Sequence, residues 1–358
     1  MKNIFKYIAG SCMLLAIVGC NEGIDPITYV PPGDDLSAPT VSLTFPSGDL
    51  NIPFTDTEVD LDIKFRVEDD IRIDNVSVVL DGETIHDQSD FLDYRIYLGS
   101  EFYESLGLGD HEMTLTAKDA SGKTTTETLS FNVSNKYLTK YDGELFYMPF
   151  EFGLYTELVS ETDPTVVGEP GFGDGKVGTS YKGAADSYLT FPTDGLIGEE
   201  FSATMWYKVN ADPDRGGILV IGPPDDGNPS AQNNRNSGFR FFRENAGGMQ
   251  RVKLNVGNGT ADTWFDGGAA ADIDPNKNEW VHLAFTISST ECVVYINGEV
   301  VSQGDFDGVD WTGCDIVSIM SGEPRFGGWG HASDLSNLDD LRIYSKALSE
   351  GEVKAIME

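Results

Sequence analysis

Short runs in which every second residue is apolar recur along this chain, and a period of two restricts it to sheets. Val59, Leu61, Ile63, Phe65 and Val67 alternate with Asp60, Asp62, Lys64 and Arg66. A strand sends successive side chains to opposite faces, so this pattern describes one buried face and one wet face. Val76, Val78 and Leu80 repeat it before Asp81-Gly82, and Met113, Leu115 and Ala117 before the turn from Asp119 to Gly122. Asx-Gly pairs supply the left-handed backbone that tight hairpins need. Residues 40–135 therefore read as an antiparallel sandwich. Residues 136–358 read as a second, larger all-β unit, with strand-like runs at 201–209, 217–221, 238–243, 251–256, 279–287 and 292–296. Asn297-Gly298 predicts a hairpin after the last of these. One helix is expected, at the C-terminal end, where Ser349 and Glu352 have the spacing of a capping box.

The chain carries 59 acidic and 24 basic residues, a formal charge of −35. Such a field repels nucleic acid and anionic lipid, so neither is an expected partner. Lys2 and Lys6 precede a largely apolar stretch from Tyr7 to Gly19, the layout of an export signal too short to rely on as a spanning helix. It ends Ile17-Val18-Gly19-Cys20, which resembles the lipobox of bacterial lipoproteins. That resemblance implies a signal peptide at 1–19, lipidation of Cys20, and an outer-membrane protein facing the exterior and held by lipid alone. Residues 20–39, with Pro26, Pro31-Pro32 and Gly33-Asp34-Asp35, read as a flexible tether. With Cys12 in the signal and Cys20 lipidated, Cys292 and Cys314 remain. In an exported protein a disulfide between them is expected, the alternative being two buried thiols.

The run from Gly109 to Gly122, with Phe131-Asn132-Val133, resembles the closing hairpin of bacterial immunoglobulin-like domains. Five ordered blocks further on resemble concanavalin A-like, laminin-G-like domains. They are Gly175 to Gly183 with Asp186 to Pro192, Phe201 to Val209, Glu279 to Thr286, Val294 to Gly298, and Leu338 to Tyr344 with Ala347-Leu348-Ser349. The fold implied is an immunoglobulin-like sandwich followed by a larger jelly-roll sandwich. Relatives of this kind often hold structural Ca2+ at the sandwich rim through Asp side chains. Asp339 and Asp186 are the positions that match. Asp339 shares a strand face with Leu341 and Ile343, so it needs a partner there, either calcium or backbone N–H groups. The loop from Gly322 to His331 is similar to a subset found on lipoproteins of glycan-uptake systems. This implies capture of a polysaccharide or oligosaccharide beside an outer-membrane glycan transporter complex.

Enzyme signatures are lacking. Residues 136–358 contain no Glu-x-Asp-x-x-Glu spacing that would set two carboxylates about 5 Å apart for glycoside hydrolysis. The four histidines lie in no Tyr- and Lys-rich strand of the kind a polysaccharide lyase needs. Binding is the expected role, with a structural or adhesive surface protein as the competitor. Sugar sites pair an exposed aromatic with polar donors and acceptors. Trp206 and Trp280 fall in strand blocks and read as packing residues. Trp329, flanked by Gly327, Gly328 and Gly330, is the expected platform, with Arg325, Phe326 and His331 beside it and Trp264 and Trp311 as further candidates.

Overall fold

The computed structural model describes residues 33–358. The signal segment, Cys20 and the first part of the tether lie outside the described residues. Two compact units are present, one ending at Asn135 and the other spanning Lys136–Glu358.

The first unit is a two-sheet sandwich. One sheet runs Thr40–Phe45, Glu58–Glu68, Ile96–Gly107; the other runs Leu50–Asn51, Thr124–Ser134, Gly109–Asp119, Ile73–Leu80, Glu83–Gln88. The alternating residues do what their period demands: Leu61, Ile63, Phe65 and Val67 are buried against Val76, Val78, Leu80, Met113, Leu115 and Ala117. Asp81 (φ 50°) and Gly82 (φ 84°) form the tight turn between their strands. Phe65 lies opposite Gly99 in the strand register, where a Cβ would meet the Phe65 ring at 2.1 Å. Glycine at that position is a packing requirement.

The second unit packs two larger antiparallel sheets. The first sheet runs Thr165–Val167, Tyr188–Pro192, Ile316–Ile319, Arg215–Ile221, Phe239–Ala246, Met249–Gly257, Asp262–Asp266. The second runs Gly171–Asp174, Thr179–Lys182, Asn337–Tyr344, Phe201–Lys208, Val281–Ile287, Glu291–Ile296, Glu299–Asp305. Phe239 and Phe241 of the first sheet meet Phe201 and Phe285 of the second, with ring centroids 4.8–4.9 Å apart across the interface. Fully burying each such side chain contributes about 2 kcal/mol. Asn297 (φ 52°) and Gly298 (φ 78°) make the expected hairpin turn. The C-terminal helix Glu350–Ile356 starts at Ser349, whose capping box with Glu352 is complete. No helix among the described residues is long and apolar enough to cross a membrane.

The expected disulfide is not formed. Cys292 and Cys314 are both buried free thiols. Cys292 lies on Glu291–Ile296, whose neighbours are Val281–Ile287 and Glu299–Asp305, whereas Cys314 precedes Ile316–Ile319 in the other sheet. They are therefore not on neighbouring strands. Burial raises both thiols, Cys314 to about 12, so neither offers a thiolate at neutral pH.

Candidate functional site

The outward face of the first sheet carries the residues that matter. Phe239, Phe241, Val252, Leu254, Val256 and Phe265 point into the core, so the alternate positions Arg240, Phe242, Lys253, Asn255 and Trp264 point away from it. In the strand register Arg240 lies opposite Asn255, and Asn255 opposite Trp264.

A loop from Gly322 to Ala332 folds over part of this face. A bridge between Ser321 and Ser333 closes its base, and the Gly322 N–H donates to the His331 carbonyl at 2.8 Å. Phe326 seals the loop down on Val220 and Phe242 and is fully buried. His331 is buried as well, its ring 4.5 Å from Phe242 and its Nε2 3.1 Å from Glu244 Oε1. That contact, together with Lys253, holds the Glu244 carboxyl down to about 2. Ala231 presses on the other side of the loop: a Cβ on Gly328 would lie 1.7 Å from the Ala231 carbonyl oxygen. Only Gly330 of the three glycines around Trp329 has a positive φ, at 80°; Gly328 is needed for close approach to the Ala231 backbone, and Gly327 faces the Glu323 carboxylate.

What this loop presents is Trp329, 41% exposed, beside Trp264, 40% exposed. The two indoles are 10° from parallel with centroids 6.1 Å apart. Arg235 lies with its guanidinium carbon 4.4 Å from the Trp329 ring and 5.7 Å from the Trp264 ring. Its Nε donates to Asp262 Oδ2 at 3.1 Å, and Asn255 Nδ2 donates to the same oxygen at 2.8 Å. In the orientation that satisfies its neighbours, the Asn233 amide oxygen accepts from Trp329 Nε1 and Arg235 Nη1, each at 3.0 Å. Beyond Trp264 the face continues as paired charges, Lys253 with Glu244 and Asp266, and Arg251 with Asp272. The result is an aromatic platform bordered by guanidinium, amide and carboxylate groups.

Of the residues expected at a sugar site, then, Trp329 and Trp264 come together and four others do not join them at the surface. Phe326 and His331 form the buried underside of the loop. Arg325 is largely covered and held by Asp315, Nη2 to Oδ1 at 2.7 Å. Trp311 is an edge-packing residue: its Nε1 donates to the Gly198 carbonyl at 2.7 Å and its ring rests on Phe201 and Phe239. Sequence reading missed Arg235, Asn233 and Asp262. The signal available was the amide-rich run Gln232-Asn233-Asn234-Arg235-Asn236, too polar to be a strand and too short to be a linker.

The second sheet differs from expectation at Trp206, which faces outward under Lys176 Nζ, 4.3 Å from its ring, and packs edge-on against His282. Near it lies an open groove of about 720 Å³ lined by Lys182, Lys208, Asn210, Asn276, Asn278 and Asn337 among others. It offers hydrogen bonds but no aromatic face among its lining residues.

Asp339 is buried, and backbone donors, the alternative to calcium, are what it meets. Its Oδ2 accepts from the N–H groups of Lys176 (2.7 Å) and Val177 (3.1 Å), and its Oδ1 from Asp340 N–H (2.9 Å). Asp186 sits exposed on a turn at φ 53°. Among the described residues these two belong to no group of three potential metal ligands. Desolvation first, and the neighbouring Asp340 second, push the Asp339 carboxyl up to about 7. Because the folded value exceeds the ordinary 3.8, the stability linked to this group is complete below about pH 4 and is lost as pH rises through about 7. The full shift corresponds to about 4 kcal/mol. Chemical denaturation from about pH 8 down to about pH 4 should show wild type gaining stability relative to Asp339→Asn. Parallel profiles for the two proteins would contradict this.

Residues 182–354 match the profile described as the concanavalin A-like lectin/glucanases superfamily, in its laminin-G group. Domain 4 of AbnA, a GH43 extracellular arabinanase from Geobacillus stearothermophilus solved with arabinotriose, is 18% identical with a TM-score of 0.46, over 61% of this chain and 100% of that one. The binding domain of Paraclostridial Mosquitocidal Protein 1 is 18% identical with a TM-score of 0.41, over 60% and 51%. The botulinum neurotoxin serotype C1 binding domain is 12% identical with a TM-score of 0.44, over 60% and 52%. The chain thus spans about half the length of these two toxin domains. No curated protein matches the sequence. The Lys136–Glu358 unit carries a laminin-G-like domain of the concanavalin A-like lectin/glucanases superfamily.

Proposed function

We propose that the protein captures carbohydrate through the outward face of the first sheet of its C-terminal unit. The observation that carries this reading is the pair of nearly parallel, 40–41% exposed indoles of Trp264 and Trp329. Monomeric proteins seldom leave two adjacent tryptophans in water without a use for them. An indole face takes the C–H surface of a pyranose or furanose ring, and the surrounding Arg235, Asn233 and Asp262 suit its hydroxyls. Asp262 is engaged by Arg235 and Asn255, which favours holding a sugar over cleaving one. The groove at Lys182 and Lys208 ranks second because it lacks a ring face.

In this reading the acylated Cys20 anchors the protein in the outer membrane, facing outward, and the tether presents the sandwich to polysaccharide beside a glycan transporter complex. Affinity electrophoresis and glycan arrays with the purified protein should show retardation or capture by at least one polysaccharide, without release of reducing ends. Unchanged migration in every polysaccharide, with adhesion to protein surfaces instead, would move the assignment to an adhesin. Released reducing ends would make it an enzyme. Cys20→Ala should leave the membrane fraction; wild-type fractionation of that variant would remove the anchor from the proposal.

A further inference from the structure

Three aspartates in the first unit converge in a way the sandwich itself does not explain. Asp35 lies just ahead of the first strand, Asp69 follows Glu58–Glu68, and Asp119 ends Gly109–Asp119. One carboxylate oxygen from each lies within 4.8 Å of the others. Asp69 is only 8% exposed and Asp119 is fully buried.

Each carboxylate divides its oxygens between two tasks. Asp69 Oδ2 accepts from the N–H groups of Ile71 and Arg72. Asp119 Oδ1 accepts from Ser121 N–H, Ser121 Oγ and Lys123 N–H, at 2.8–2.9 Å. Asp35 Oδ1 accepts from Lys123 Nζ at 3.1 Å. The other three oxygens, Asp35 Oδ2, Asp69 Oδ1 and Asp119 Oδ2, are buried and have no hydrogen-bond partner. Leaving a buried carboxylate oxygen unpaired is costly, and here three occur together. Lys123 Nζ stands 3.5 Å from Asp119 Oδ2 and is the ammonium that faces the group. Three carboxylates against that one ammonium leave two negative charges in excess, the charge of a divalent cation.

We infer that Asp35, Asp69 and Asp119 form a Ca2+ site that clips the end of the tether to the first unit. Calcium takes carboxylate oxygens at about 2.3–2.6 Å in irregular geometry, so two of its ligands stand at most about 5 Å apart. One carboxylate oxygen from each of the three residues meets that limit. Backbone N–H groups fix Asp69 and Asp119 from the far side, so both carboxylates are oriented before the ion arrives. Asp35 closes the site from the chain segment that precedes Thr40, and occupation would order that segment against the turns at 69–72 and 119–123. The inference does not depend on the sugar site, which belongs to the other unit.

The test is a thermal and calorimetric titration of the purified full chain with CaCl2, after chelation, with MgCl2 as a parallel arm. Calcium should bind and raise the melting midpoint of the first unit by a few degrees at millimolar concentration. Asp69→Asn should weaken binding about tenfold or more, because it trades a free carboxylate oxygen for an amide. Should Asp69→Asn fold poorly, Asp35→Asn keeps the test open, since it lies outside the sheets and retains an acceptor for Lys123. Failure of calcium to bind overturns the site, as does calcium binding that Asp35→Asn leaves undiminished. Equal stabilisation by magnesium overturns the choice of metal.

Discussion

Trp329→Ala is expected to weaken polysaccharide binding roughly thirtyfold or more, which corresponds to about 2 kcal/mol for a central aromatic anchor. The indole is 41% exposed, its ring is nearly parallel to that of Trp264, and it stands on a loop whose closure depends on Phe326 and the Ser321–Ser333 bridge. The stability cost should be modest, about 1–2 kcal/mol, for the contact with Phe326 and the hydrogen bond to Asn233. Trp264→Ala should reproduce the loss of affinity. Because the two rings serve one platform, the double substitution should fall short of the sum of the singles. Affinity electrophoresis with the three variants reads this directly. Full affinity in a folded Trp329→Ala protein would move the site off this face, and the groove at Lys182 and Lys208 would be examined next.

A larger effect on stability is expected where the loop leaves the face. Asp334 follows it and is fully buried opposite Arg243, with Arg243 Nη2 donating to Oδ1 at 2.9 Å and Nε to Oδ2 at 3.1 Å. Tyr207 Oη donates to Asp334 Oδ2 at 2.6 Å, so one carboxylate ties Phe201–Lys208 of the second sheet to Phe239–Ala246 of the first. The Pro213 carbonyl and Gln250 Oε1 accept from Arg243 Nη1, and the Tyr207 hydroxyl accepts from Nε at 2.9 Å. Asp334→Ala leaves the Arg243 charge buried without its counter-ion, and the loss should be about 3–5 kcal/mol. For a unit of this size the melting temperature should fall by about 10 °C. Arg243→Met combined with Asp334→Leu should recover most of that, because an apolar pair replaces the ion pair without leaving a charge behind. A single Asp334→Ala substitution that costs less than about 1 kcal/mol would show the pair to be dispensable.

Much of the architecture was legible in the chain itself, because the relevant physics is local. The alternation at 59–67 specifies a half-buried strand wherever it is placed, Asp81-Gly82 and Asn297-Gly298 carry their own left-handed turns, and Ser349 with Glu352 caps the C-terminal helix from within. The long strand Ile96–Gly107 was missed for a complementary reason. It lies at a sheet edge and exposes Ile96, Leu98 and Phe102, so its pattern does not separate a wet face from a dry one.

The binding face obeyed no such local rule. Nothing near Trp264 or Trp329 in the sequence states that they will stand side by side; sheet order and the fold of one loop bring them together. The same loop turned His331 and Phe326 inward, because its glycines let it lie flat enough for those rings to be buried on Phe242. Cys292 and Cys314, which the sequence leaves as a possible pair, fall on or beside strands of different sheets and are buried thiols. Asp35 reads as a tether residue and Asp119 as a turn residue until folding brings a carboxylate oxygen of each within 4.8 Å of one from Asp69. Hydrophobic period and turn chemistry act over a few residues and can be read in order along the chain. Sites form between residues that only tertiary packing makes neighbours.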